Sequence, residues 1–230
     1  MSAGRSRRFI AFGALGAAAY LAALAATIPA AAIWAGPPAA GVSGTLWRGT
    51  AAFAGGHRLH WSWAPLRSLT GLGFAADVGV TGPGTALTGR ALIRPGQRVV
   101  TALKGRADGT LLAAFVPAMP FVCVVPARVD LDRLALGRRR YAMVGEVSTG
   151  AGTCQPATGP ATAVPGLRIA AGPAPGGTRA TIVPRVSQRP PLAAIGLSES
   201  GRLTARITRA GAAALPFLAP PGGGTIETTL

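Results

Sequence analysis

Carboxylates are scarce in this chain of 230 residues: seven Asp and Glu stand against 23 Lys and Arg, for a formal net charge of +16. Lysine is scarcer still, Lys104 being the only one, and histidine and cysteine number two each. Proton transfer, nucleophilic attack and metal binding draw on clustered His, Asp, Glu and Cys, so this shortage leaves little from which to build an active site or a metal centre. The H-E-x-x-H, G-x-S-x-G and P-loop patterns are missing, and Gly222, Gly223 and Gly224 lack the following Lys and Ser/Thr of a phosphate cradle. The chain therefore reads as a non-enzyme with no cofactor and no metal. Aromatics make up only 6%, whereas Gly and Pro number 33 and 20. That balance disfavours long helices and favours short strands joined by turns, a mostly β chain.

One long hydrophobic run does occur. Residues 9–28, FIAFGALGAAAYLAALAATI, carry no charge, and Arg5, Arg7 and Arg8 precede them. About twenty residues at 1.5 Å of rise each span the roughly 30 Å hydrocarbon core of a bilayer, and a basic flank stays on the cytoplasmic side. The expected organisation is a cytoplasmic segment 1–8, a transmembrane anchor 9–28, a linker 29–43 and an exported strand-rich domain 44–230. Ala30, Ala31 and Ala32 also suit a signal-peptide cleavage site, so removal of the segment is the alternative, although cleavable signals usually have apolar stretches of only about 7 to 15 residues. Past the anchor, 23 − 3 = 20 cations face seven carboxylates, a balance of about +13. Such a domain attracts anionic lipid headgroups or an acidic protein face. The arginines are dispersed, with Arg138, Arg139 and Arg140 as the one run, and no nucleic-acid-binding module is present, so nucleic acid is not an expected partner.

Both cysteines, Cys123 and Cys154, lie in the exported part, where an oxidising compartment lets them pair. Closing a loop of about 30 residues would stabilise the domain by roughly 3 to 4 kcal/mol. Alternation of apolar and polar residues predicts strands near 59–63, 73–80, 87–93, 129–136, 141–147, 167–171, 178–186 and 201–208. Turn signals at Gly55-Gly56, Gly82-Pro83-Gly84 and Pro95-Gly96 separate the early ones at the spacing of an antiparallel meander, so the fold expected is a curved sheet or a sandwich. Short helices are expected within 111–119 and 210–218, and a loop over most of 156–175. Two loosely similar halves, about 44–110 and 121–230, are suggested, without a residue-level repeat.

His57 and His60 fall on opposite faces of a strand, away from any carboxylate, which argues against a metal pair. Asp130 and Asp132 share a strand face, with Arg128 and Arg133 beside them as surface partners. Trp47, Trp61 and Trp63 lie close together on adjacent predicted strands, as core anchors or as the lining of a partner surface; Trp61 and the arginine run 138–140 are the candidate interaction residues.

The order of these features, a basic start, one apolar anchor, then VSGTLWRGTA at 42–51 and WSWAPLRSL at 61–69, resembles protein N of the type II secretion system. Members of that family carry G-T-L-W-x-G-x-A and W-x-x-x-P-x-x-L elements. Gly44, Thr45, Leu46, Trp47, Gly49 and Ala51 match the first, and Trp63, Pro65 and Leu69 match the second at slightly tighter spacing. The resemblance is specific over about 1–95 and general beyond it; the Cys123/Cys154 pair and the Ala/Arg excess depart from it. It implies a single-pass inner-membrane protein with a cytoplasmic N-terminus and a periplasmic domain, an accessory part of the machine that exports folded proteins. Such a protein works by contact with other inner-membrane platform components. The alternative from the residues is a periplasmic lipid-handling module, with small apolar side chains lining a β-groove.

Overall fold

The computed structural model describes residues 3–115, 120–137, 141–186, 190–216 and 222–229, and side chains from 13 to 228 within them. Helix α1 runs Ala3–Ala26, and a single turn, α2, spans Ala30–Ile33. Then follow β1 Gly41–Gly44, β2 Arg48–Ala52, β3 Arg58–Trp63, α3 Pro65–Gly71, β4 Phe74–Gly82, β5 Thr85–Arg94 and β6 Gln97–Asp108. Next come α4 Thr110–Phe115, β7 Phe121–Val124, β8 Pro126–Gly137, β9 Ala142–Thr149, β10 Gly152–Pro156 and β11 Thr162–Val164. The chain closes with β12 Leu167–Ala174, β13 Gly177–Pro184, β14 Ala193–Ser198, β15 Arg202–Ile207, α5 Arg209–Ala214 and β16 Gly224–Thr229.

Thirteen strands form one antiparallel sheet in the order β1-β2-β3-β4-β5-β6-β8-β9-β12-β13-β14-β15-β16. The first and last strands do not meet, so the sheet is open rather than a barrel. A second sheet, β11-β10-β7, has three strands, so the architecture is not a sandwich of two comparable sheets. The ladder between β6 and β8 runs from Gln97↔Gly137 to Asp108↔Pro126, which joins the two suggested halves through the same kind of pairing found inside each.

Period-two alternation gives the sheet two unlike faces. One row of Cα partners reads Ala51, Leu59, Val80, Leu87, Gly105, Val129, Val147, Ile169, Ile182, Ala193 and Ile207. The neighbouring row on the other face reads Thr50, His60, Gly79, Thr88, Lys104, Asp130 and Glu146. The apolar face carries the buried clusters: Ala51 and Phe53 with Ala114 of α4 near the start, and Ile182, Ala193 and Ile207 with Ala212 of α5 near the end.

The disulfide Cys123–Cys154 forms as expected. Its cysteines are direct cross-strand partners of β7 and β10, and Cys154 packs with Val125, Val164 and Leu215 in a third cluster. Several expectations shift. The linker 29–43 holds α2 and most of β1. The loop expected over most of 156–175 contains β11, and the strand expected at 167–171 extends to Ala174 as β12. Helix α5 ends at Ala214, and 116–119 and 217–218 of the two expected helices lie outside the described residues. Helix α1 contains most of the expected anchor, but the side chains of residues 9–12 lie outside those described; among the described residues no helix is long and apolar enough to cross a membrane.

Candidate functional site

The two elements that carry the family resemblance lie on the paired neighbours β2 and β3 and the turns beside them, and meet at one rim of the sheet. Residues 45–47 form the turn between β1 and β2, and α1 ends against it: Leu46 N donates to Ile28 O at 2.9 Å, Trp47 Nε1 to Ala25 O at 2.8 Å, and Pro29 bridges Thr45. Trp61 Nε1 donates to Leu46 O at 2.9 Å, and the Trp47 and Trp63 rings lie 4.4 Å apart. Trp63 Nε1 then donates to Ser68 Oγ of α3 at 2.8 Å. Ser68 is the hub here, since its hydroxyl also accepts from Ala75 N at 2.9 Å and donates to Ala64 O at 3.0 Å. Nothing in the sequence pattern marks Ser68, whose role depends on the fold of α3 over β4.

The matched residues divide by role. Gly44 adopts φ +88 at the turn, and Gly49 sits where the Trp61 indole crosses the backbone. Ala51 is fully buried beside Phe53. Pro65 opens α3, where its fixed φ and missing N–H fit the first turn. Leu69 joins none of these contacts and points outward. Trp61 is half-buried and stacks on Trp34 at 5.9 Å, so it serves the core more than an open surface. Arg138, Arg139 and Arg140 lie outside the described residues.

On the charged face beside this unit lies an open trough of about 800 Å³. Cross-strand pairing sets Arg48, Ser62, Asp77 and Arg90 along one wall, and Ser43, Thr50, His60 and Thr88 along the other. Its floor includes Gly89 and Ala102, where β5 and β6 slip register, and Ala102 takes φ +50. A non-glycine residue in that conformation costs of order 1 kcal/mol and is found preferentially at functional sites. Asp77 pairs with Arg67 of α3, whereas Arg48 and Arg90 form no ion pair among the described residues. The trough is cationic and rich in hydroxyls, a chemistry that suits acidic groups.

The two histidines differ as the alternation implies. His60 is exposed in the trough, and its ring covers Gly79. His57 is 1% exposed, with Nε2 3.3 Å from Thr110 Oγ1 and Nδ1 without a partner among the described residues. Thr110→Val should strand both nitrogens and cost about 1–3 kcal/mol, read as a lower urea midpoint at constant slope.

The shared strand face expected for Asp130 and Asp132 is interrupted by a bulge. Register slips between Leu131 and Arg133, so Asp132 bulges out of the ladder while Asp130 stays in it. Asp130 bonds Lys104 at 2.8 Å rather than its neighbouring arginines. That hydrogen bond, then the charge of Asp130, raises the Lys104 pKa above its ordinary 10.5. A raised pKa means the pair's contribution is full below the ordinary lysine value and disappears as pH rises through the higher one. Both groups are exposed and screened, so Asp130→Asn with Asp132→Asn should leave the thermal midpoint at neutral pH nearly unchanged. Among the described residues no group of three or more His, Cys, Asp or Glu is placed to hold a metal. Compared with protein-family models, curated proteins and solved structures, the chain matches none.

Proposed function

We propose that this chain is an accessory, non-catalytic component of a type II secretion apparatus, anchored in the inner membrane by the apolar run 9–28 with its N-terminus cytoplasmic and its sheet in the periplasm. The observation that carries this reading is the meeting of the GTLWRGTA and WAPLRSL elements in one hydrogen-bonded unit against the last turn of α1. A shared motif pair is most readily kept together when its members build one structure. The anchor draws support from exposure: every described side chain of α1 is exposed, leucines and Tyr20 included, which leaves an apolar helix uncovered by protein. The cationic trough supplies a contact surface for an acidic face of a platform protein. Cross-linking in cells that export by this route should attach platform components to the sheet, and Arg48→Glu with Arg90→Glu should reduce the adduct several-fold. Unchanged export after deletion of the gene, with no platform component in the adduct, would sink the proposal.

A second reading, a periplasmic lipid-handling module, is favoured by the apolar face that continues from β2 to β15, with no comparable second sheet over it among the described residues. Native mass spectrometry of the purified protein should then retain acyl lipid beyond the detergent background.

A further inference from the structure

Helix α3 is amphipathic the wrong way round. Its inner side presents Arg67, Ser68 and Gly71 to the sheet, through the Asp77 ion pair, the Ser68 hydroxyl network and the close approach of Gly71 to Leu92. Its outer side presents Leu66 and Leu69, 78% and 73% exposed, and Leu72 at the C-cap is 84% exposed. Spacing of three residues sets Leu66 and Leu69 on one ridge, and Leu72 follows it at the C-cap. Leu72 also adopts the left-handed conformation, φ 47 and ψ 51, where helices usually place glycine. Backbone strain and full exposure of a large apolar side chain therefore coincide at one residue, and neither helps an isolated fold.

The position of the ridge indicates what covers it. Helix α3 is tied through Ser68 and Trp63 to Trp47, and Trp47 bonds the last turn of α1. The same rim carries Ile93, 47% exposed, and Arg94, whose Nε donates to Gly71 O at the end of α3 at 2.7 Å. Leucines outward, tryptophans beside them and arginines at the border are the composition of a membrane interface, where aromatic rings sit at headgroup level and cations meet phosphate.

We infer that the ridge of Leu66, Leu69 and Leu72 seats in the headgroup region of the bilayer that α1 spans, so that α3 fixes the tilt of the sheet against the membrane. This rests on the anchor reading above. The occupant is the bilayer rather than a second copy or a platform protein, because the ridge lies at the rim from which α1 departs.

The test uses the full chain in vesicles of phosphatidylethanolamine and phosphatidylglycerol. Single cysteines at Leu69→Cys, Leu15→Cys in α1 and Ala170→Cys on the charged face each carry a small environment-sensitive fluorophore, and spin-labelled lipids act as quenchers. The native cysteines are joined in the disulfide and do not take the label. Quenching at Leu69→Cys several-fold above that at Ala170→Cys, with a blue-shifted emission, is the expected result. Strong quenching at Leu15→Cys with solvent-like emission at Leu69→Cys would overturn the inference and leave the anchor standing. So would a blue shift at Leu69→Cys without quenching, the sign of a protein cover. Absence of quenching at Leu15→Cys removes the anchor reading and the inference with it.

Discussion

Gly49→Val in the full chain is expected to lower unfolding free energy by about 3–5 kcal/mol, the range of a large aromatic lost from a core. A Cβ at this position would overlap the Trp61 indole and lie 2.7 Å from Ser43 O. The indole has little room to yield, because Leu46 O holds its N–H at 2.9 Å and Trp34 stacks on its face. Either Trp61 is expelled and its burial lost, or β1 peels from β2 and frees the turn that meets α1. Tryptophan fluorescence during urea unfolding reads both: the midpoint should fall and the native emission should move to the red. A shift of under about 1 kcal/mol would mean that the β1–β2 hairpin is already mobile enough to absorb the side chain. Gly49→Ala, which adds a single carbon, should lie between the two.

The second large effect is expected from the disulfide. Cys123→Ser with Cys154→Ser should cost roughly 3 to 4 kcal/mol for a separation of 31 residues in the chain-entropy account. The effect should be regional. Strands β7, β10 and β11 belong to the small sheet, whose cluster of Val125, Val164 and Leu215 depends on Cys154 for part of its contact surface. Hydrogen exchange should therefore accelerate at β7 and β10 well before it does at β4 and β5. Uniform acceleration across both sheets would instead mean that the small sheet and the large one open as one cooperative unit.

Much of the large sheet was legible because alternation in 73–80, 87–93 and 201–208 is undisturbed; β5 extends its expected stretch at both ends, β4 runs past its own only at the C-terminal end, and β15 falls one residue short at each end. Strand β6 escaped notice for a physical reason. The bulge at Ala102 inverts the phase, so that Val100 and Leu103 share a face across an odd spacing, and no single period fits Gln97–Asp108. The same kind of slip takes Asp132 out of the ladder that Asp130 keeps. Strand β14, AAIGLS, has an ordinary strand composition but too few polar residues to show alternation. At the candidate site the tryptophans were visible as a group, whereas Ser68 and the outward leucines of α3 were not. The sequence 65–69 does not say which side of α3 faces out, and only the tertiary contacts show it.

Every strand of the large sheet bonds strands near it in the chain, and the excursions through β7 and through β10 and β11 leave that order intact. Such an arrangement is quasi-one-dimensional: each ladder needs only its predecessor as a template, and loop-closure entropy stays small at every step. A chain threaded outward from α1 can therefore build its sheet strand by strand as it emerges, with β1 and β2 set against the helix first and β16 added last. Each intermediate exposes one growing edge, and the final one, β16, ends the series with Glu227 on a strand whose described side chains are all exposed. Lengthening or shortening the domain by whole hairpins away from the rim would leave the tie to α1 untouched, which makes the number of strands, unlike the first two, free to vary.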